Sequence, residues 1–420
     1  MTVEEFTFAN FIKSVLWLTF WILTVVSLIG IPILFIVLFF IEPPEIEGIE
    51  ITPYLLLTML TNPQVGAPLI RAMLESDLFR VAVFPGFGFA SIFATLLIFY
   101  ERKFLAKMQI RVGPHYAGKE ALWWIRQFGG FPQLIADLLK LLGKEIIVPA
   151  AADKPIFLAA PVIMVVAAAG LVSLVPVGPG WVVADIDVGV LVMFALLGFF
   201  PITALLASWA SNSKYPFIGG LRALHQLISY EIPLFLSVLG VVILAGTLNF
   251  SGIVEAQVAN TWFLFLLPIG AFVFFITALA ELERVPFDIP EAESEIVAGW
   301  LTEYSGMAYG LIQLANYVKL YALAGIFVTL FMGGWTGPVV FNDIHIFDAL
   351  VLTGEELSSF LWFSVKTFGV AALMILPRGI NPRIRIDILL RTGWAKLIAI
   401  AFINIFIAVG LIYAGVVPFS

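Results

Sequence analysis

The sequence predicts an all-α polytopic membrane protein, and three observations carry that expectation. The 420 residues are 61% hydrophobic and only 12% charged, with a mean hydropathy of +1.05. No soluble domain of this length could bury so much apolar surface. The apolar residues gather in nine segments, at 14–41, 81–101, 156–177, 188–210, 230–248, 262–281, 308–332, 358–377 and 394–417. Each is long enough to cross a hydrocarbon core of about 30 Å. Third, the basic residues crowd into alternate loops, the pattern that orients spanning helices.

Lipid offers a bare backbone no hydrogen-bond partners, so each segment is expected to be a helix. The first run, Val15 to Ile41, is too long for the core of a cleavable signal and lacks a small-residue cleavage site. The stretch 42–80 combines the acidic "EPPEIEGIE" with "YLLLTML", which is too short to span, and reads as an outward-facing loop with an interfacial piece. Interior prolines at Pro32, Pro201, Pro233 and Pro268 predict kinks rather than breaks. No inverted repeat of the secondary-transporter kind is visible.

Nine basic residues fall between the second and third segments: Arg102, Lys103, Lys107, Arg111, Lys119, Arg126, Lys140, Lys144 and Lys154. Arg378, Arg383, Arg385 and Arg391 lie between the eighth and ninth, with Lys214 and Arg222 in a further loop on that side. The alternate loops 178–187, 249–261 and 333–357 contain no Lys or Arg. The positive-inside rule therefore makes the basic loops cytoplasmic, with the N-terminus inside and the C-terminus outside.

Several chemistries are excluded or disfavoured. With no cysteine, the chain cannot supply thiolate ligands to an iron–sulfur cluster or zinc, nor form disulfides. "GPHYAGKE" mimics a phosphate-binding loop, but Glu120 stands where magnesium would need Ser or Thr, and a spanning segment precedes it instead of a strand. His115, His225 and His345 sit on three different segments, which argues against a metal or haem site.

Against this background "ALAELERVPFDIPEAESEIVAGWLTEY", residues 278–304, gathers Glu281, Glu283, Asp288, Glu291, Glu293, Glu295 and Glu303 around a single base, Arg284. Pro286 and Pro290 forbid one continuous helix. Pro290 suits the first position of a new helix, whose positive N-terminus Glu291 and Glu293 would complement. That leaves Glu281, Glu283, Asp288, Glu295 and Glu303 unexplained. Partly desolvated carboxylates in a cluster have raised, mutually coupled pKa values, which suits a proton relay. Lys319 and Lys366 lie near the centres of apolar segments, where a charge costs about 2.5–3.5 kcal/mol and needs a partner. Glu231, expected to open the fifth helix, and Glu281, expected to close the sixth, are the candidate partners. The competing reading makes both acids simple markers of helix ends.

Five blocks occur in order: "FYERKFLAKMQIRVGP", "ADLLKLLGKEIIVP", "ASNSKYPFIGGLRALHQLISYEIPL", "ELERVPFDIPEAESEIVAGWLTEYSGM" and "PRIRIDILLRTGW". Together they resemble the family of H-type membrane subunits of bacterial NADH:quinone oxidoreductase, counterparts of subunit 1 of mitochondrial complex I. The resemblance covers roughly residues 81–396 and implies an eight-helix core, so residues 1–80 would add one N-terminal helix and its loop to a quinone-chamber membrane domain at 81–420. It implies a proton relay through Glu231, Glu281, Glu283, Asp288, Glu295 and Glu303. A quinone chamber would be walled by Arg102, Lys103, Arg111, Asp137, Lys140, Lys144, Glu145 and Arg284. Lys366, Arg378, Arg383, Arg385 and Asp387 match the terminal basic block. The sequence departs from the family pattern at His115, Ile146 and Ile388, and 188–210 lacks the acid many members carry there.

The implied function is that of a membrane subunit in a proton-pumping oxidoreductase of the inner (plasma) membrane, with quinone as substrate and no bound metal in this chain. Its partners would be other membrane subunits, the lipid bilayer and an iron–sulfur hydrophilic arm, with no nucleic acid. The rivals are the homologous membrane component of a ferredoxin-linked or hydrogenase complex, a stand-alone ion transporter, and a structural anchor. The long basic loop 102–155 opposes the transporter, and the deep Lys319 and Lys366 oppose the anchor.

Overall fold

The computed structural model describes residues 45–46, 49–50, 76–115, 130–346 and 349–415. The expected first span at 14–41, most of the segment 42–80, and Lys119 and Arg126 lie outside them. Of that segment only the paired strands Glu45–Ile46 and Ile49–Glu50 and the residues from Ser76 onward are described.

The main helices are α1 (Phe87–Met108), α2 (Pro132–Gly143), α3 (Lys154–Ser173), α4 (Gly189–Leu197), α5 (Phe199–Ala210), α6 (Lys214–Ala245), α7 (Pro268–Glu281), α8 (Gly306–Phe331), α9 (Gly354–Ile375) and α10 (Ile398–Tyr413). Seven helical stretches among the described residues are long and apolar enough to cross a membrane, and α7 is a shorter apolar helix of 14 residues. Local chemistry sets the ends. Pro268 starts α7 at a position where its missing N–H costs nothing. Gly246 ends α6 with φ +69°, the left-handed stop that glycine adopts most cheaply. Thr353 and Glu356 close a capping box at the start of α9.

The bundle is built around α8. Every residue from Val318 to Phe331 is buried, and this part of the helix is apolar on all sides apart from Lys319 and Thr329. It packs against α3, α1, α9 and α7, while α6 packs against α5, α7 and α10. Small residues permit the close approaches: a side chain at Gly325 would stand 2.9 Å from Val175. Phe402, Phe406 and Trp209 face outward, as lipid-facing residues of spanning helices do.

The loops sort to two ends. At one end Asn249 donates to Asp185, Gln257 donates to the Thr329 carbonyl, and Trp181 reaches Glu356. These are the segments without Lys or Arg. At the other, Asn212 donates to the Ala151 carbonyl, Ile147 to Ser305 Oγ, and Arg383 pairs with Asp288. These are the basic loops and the acidic segment.

Two elements differ from the sequence expectation. Pro268, expected as a kink, instead starts α7 after a break at Leu267 that separates it from the short helix Phe263–Leu266. Residues 214–229 carry Lys214, Arg222 and His225 and read as a loop, yet α6 begins at Lys214. Pro216 falls in the first turn, where its missing N–H removes no helical bond, and Gly219 and Gly220 let the helix press on neighbouring backbone and on Ser208. Glu231 therefore lies in mid-helix instead of opening one.

Candidate functional site

The acidic segment folds back into the bundle at the basic-loop end. Glu281 closes α7, and Glu283 adopts φ +51°, a conformation a non-glycine residue takes at a cost. The Ile384 N–H donates to the Pro286 carbonyl at 3.1 Å and pins the loop to the terminal basic block. Only short turns follow, α-helical at Glu293–Ile296 and 3₁₀ at Gly299–Leu301, so Pro290 does not open a helix. Gly299 has φ +56°, and a side chain there would strike the Pro290 carbonyl at 1.7 Å. That crossing replaces the expected helix start. Glu291 consequently faces the other acids, not a helix N-terminus.

Two charges are fully buried beside this loop. Lys319 Nζ donates to Glu281 Oε1 at 2.7 Å and to the Glu281 carbonyl at 2.8 Å, and sits 4.0 Å from the centre of the Phe200 ring. The two side chains are only 3% and 2% exposed. Lys319 and Glu281 also line a small cavity with Glu283, Asn316 and Trp300, large enough for about one water molecule. Glu231 interacts electrostatically with both Glu281 and Lys319. Burial pushes the Glu283 carboxyl up to about 7; Lys319 opposes the rise, and Glu281 and Asp288 add to it. Burial likewise pushes Glu291 up to about 8, with Glu283 and Asp288 contributing and Arg378 and Arg284 opposing. A file of electrostatically coupled ionisable groups thus links Asp288 and Glu291 to Glu283, Glu283 to Glu281 and Lys319, and those two to Glu231.

Sequence reasoning missed Glu101. This carboxylate is 2% exposed and pairs with Arg284 at 2.6 Å and with Arg378, while the Tyr317 hydroxyl donates to it at 3.1 Å. Its only signal was an acid at the end of an apolar run, which reads as an interface marker. Lys366 finds no carboxylate partner among the described residues; it donates to the carbonyls of Met332, Gly334 and Thr336 at 2.9, 3.2 and 2.7 Å, under the Trp262 ring. The expected pairing with Glu231 or Glu281 holds for Lys319 and Glu281 alone.

The remaining candidates disperse. Asp288 pairs with Arg383 at 2.9 Å and Glu295 with Arg222 at 2.5 Å, both in an open cleft lined also by Arg385 and Asp387. Glu303 lies on the turn before α8, two residues from Ser305, which receives the Ile147 N–H. Of the proposed chamber residues, Arg102 pairs with Asp137 at 2.5 Å and ties α1 to α2. Burial works against the Asp137 charge, but bonds from Arg102 and Gln133 outweigh it and hold the carboxyl below its usual range. Lys103 lies over Phe99, Arg111 donates to Gln109, and Lys140, Lys144 and Glu145 are exposed on or just beyond α2. Arg284 points away from them into the Glu101 pair.

The family described as NADH dehydrogenase matches residues 81–409 of this chain. The chain belongs to the NADH dehydrogenase family. The H-type subunit of NADH-quinone oxidoreductase from Geobacillus sp. (strain WCH70) is 43% identical over 333 residues, 78% of this chain and 93% of that protein. The corresponding subunits from Bacillus thuringiensis (strain Al Hakam) and Bacillus cereus (strain AH187) are each 42% identical over 346 residues, 81% of this chain and 97% of theirs. All the ionisable groups of this file fall inside the stretch matched by the NADH dehydrogenase family.

Proposed function

We propose that this chain is the membrane subunit of a proton-pumping NADH:quinone oxidoreductase, that it helps to wall a quinone chamber, and that it couples quinone reduction to proton movement. The observation that carries the reading is the file from Asp288 and Glu291 to Glu231, with Lys319 and Glu281 at its centre. Reduction of a quinone takes two electrons and two protons. The chain has no cysteine to ligate a cluster, so the electrons come from an iron–sulfur partner docked at the basic-loop end. The exposed Ile135, Leu138, Leu139 and Leu142 of α2, flanked by Lys140 and Lys144, support a docking surface there.

The coupling follows from electrostatics. Carboxyls raised to about 7 and about 8 are poised so that a neighbouring change of about 1.4 kcal/mol alters their ratio of protonated to ionised form tenfold. Negative charge arriving on a quinone near Asp288 and Glu291 would draw protons onto the outer acids. The loss of their negative charge would then be felt at Glu283 and at the Lys319–Glu281 pair. Arg102 with Asp137, Lys103 and Arg111 supply the polar wall of the chamber in this reading, and Glu295 and Glu303 the approach to the file. The membrane is the inner (plasma) membrane, with the basic loops cytoplasmic.

The test is Glu231→Gln in the intact complex, reconstituted in vesicles, with complex content measured first. Proton translocation per electron should fall and quinone reduction should slow with it. Wild-type pumping in this variant would return Glu231 to a passive place on α6. The protein and cofactor content of the same preparation checks the complex itself: NADH- and FMN-binding partners are expected, not a nickel–iron protein.

A further inference from the structure

The cavity beside the buried pair is lined by an indole donor, beside the Asn316 amide, that the proton file leaves unused. Trp300 is completely buried, and its indole faces the cavity together with Glu281, Glu283 and Lys319. An indole N–H can only donate, and a carboxylate can only accept. Trp300 Nε1 and Glu283 Oε1 are both buried, and neither has any other hydrogen-bond partner among the described residues. A buried donor and a buried acceptor on one cavity wall are each costly to leave alone, and each is what the other requires. The indole also acts on Glu283 in the sense expected of a donor, favouring the charged carboxylate.

The backbone fixes the indole where it is. Trp300 sits in the single 3₁₀ turn Gly299–Leu301. Gly299 crosses Pro290 on one side, where a side chain would meet the Pro290 carbonyl at 1.7 Å. On the other side Gly219 of α6 lies against the Trp300 backbone nitrogen, leaving 2.5 Å for any added carbon. The loop that carries Glu283 is thereby closed on itself with Trp300 as its buried anchor.

We propose that Trp300 is a positioning residue of the carboxylate file: its indole N–H holds the Glu283 carboxylate, directly or through one bound water, and so governs how readily Glu283 releases its proton. The inference rests on the proton-relay reading of the site. The charged groups that face Glu283 are Lys319 from α8, Glu281 at the end of α7, and Asp288 and Glu291 of its own loop. Three of these four oppose its ionisation. Trp300 supports the anion without adding a charge that would disturb the Lys319–Glu281 pair.

The experiment follows the Glu283 carboxyl stretch by infrared difference spectroscopy across pH in the intact complex, the band being identified by its loss in Glu283→Gln. Trp300→Phe keeps an aromatic ring and removes the donor. Its Glu283 midpoint should rise by about one pH unit, a tenfold gain in proton affinity, and Trp300→His, which restores an N–H, should bring it back. Replacing Trp300 with benzothienylalanine, in which sulfur takes the place of the N–H, should give the same rise and carries the test if the Phe variant does not assemble. An unchanged midpoint in the donor-free variants overturns the proposal. Pumping is scored separately: a raised midpoint with normal pumping in Glu231→Gln and Glu283→Gln would sink the relay reading instead, so the two failures are distinguishable.

Discussion

Glu101 and Arg284 are 183 positions apart and meet in a 2.6 Å ion pair that closes the basic-loop end of the bundle. Arg284 is 10% exposed and Glu101 2%, and the guanidinium also stacks over the Tyr317 ring at 4.8 Å. Arg378 binds the second carboxylate oxygen. One acid on α1 therefore anchors both the acidic loop and the segment after α9. It joins the parts of the chain that carry Glu283, Asp288 and Arg383, so the geometry of the proton file depends on a residue outside it.

Glu101→Gln should accordingly be a stability defect before it is an activity defect. It leaves two guanidinium groups facing a neutral amide, one of them buried. Breaking such a pair from one side costs about 3–5 kcal/mol. Thermal unfolding in detergent should show a clearly lowered midpoint, and Glu101→Gln combined with Arg284→Gln should recover part of it. A single variant as stable as wild type would mean that Arg284 finds another partner.

The spans were legible in the sequence because lipid imposes one rule on all of them, and eight of the nine segments correspond to described helices. The Lys319–Glu281 pair was legible for a related reason: a lone charge in an apolar run must find its opposite. Glu101 was not, because its partners lie in distant loops and nothing local marks it as buried. Glu291 misled because Pro290 permits a helix start, and only the crossing at Gly299 denies one. Lys366 could not be placed from sequence either. Its partners are main-chain carbonyls, exposed where α8 ends at Gly333 and Gly334 with φ +67° and +52°.

Lys366→Met tests that last arrangement. Methionine keeps the length of the side chain and its place under Trp262, but leaves the carbonyls of Met332, Gly334 and Thr336 without their shared donor. Hydrogen bonds to a charged group contribute about 1.5–3 kcal/mol each, so the thermal midpoint should fall markedly. Proton translocation per electron should hardly change, because Lys366 binds the opposite end of α8 from the acidic loop. A matching loss of pumping in fully assembled complex would connect this end to the proton path.

Glu291 gives the pH dependence a sign. Its carboxyl is raised from 4.5 to about 8, so the folded chain holds a proton that the unfolded chain has released. The stabilisation is full below the ordinary carboxylate value and is lost as pH rises through about 8. Unfolding midpoints should therefore decline between about pH 5 and about pH 9, and Glu291→Gln should decline less. Equal slopes for the two proteins would show that Glu291 does not titrate in this window.

The buried pair makes the strongest demand on stability and function together. From sequence alone, Glu281→Gln is expected to assemble well, since a neutral amide is cheaper to bury than a carboxylate. The geometry reverses that expectation. Lys319 is 3% exposed and, among the described residues, forms its ion pair with Glu281, with the Glu281 carbonyl and the Phe200 ring as weaker support. Glu281→Gln thus strands an ammonium in the bundle, at a cost of about 3–5 kcal/mol. Glu281→Met with Lys319→Met removes both charges and roughly keeps the volume, and replacing a buried pair by well-packed apolar groups is often neutral or stabilising. Complex content and thermal midpoint should therefore be low in the single variant and restored in the double. Proton translocation should be impaired in both, because neither keeps the coupled pair between Glu283 and Glu231. Restored pumping in the stable double variant would take the pair out of the proton path and leave it a structural clamp between α7 and α8.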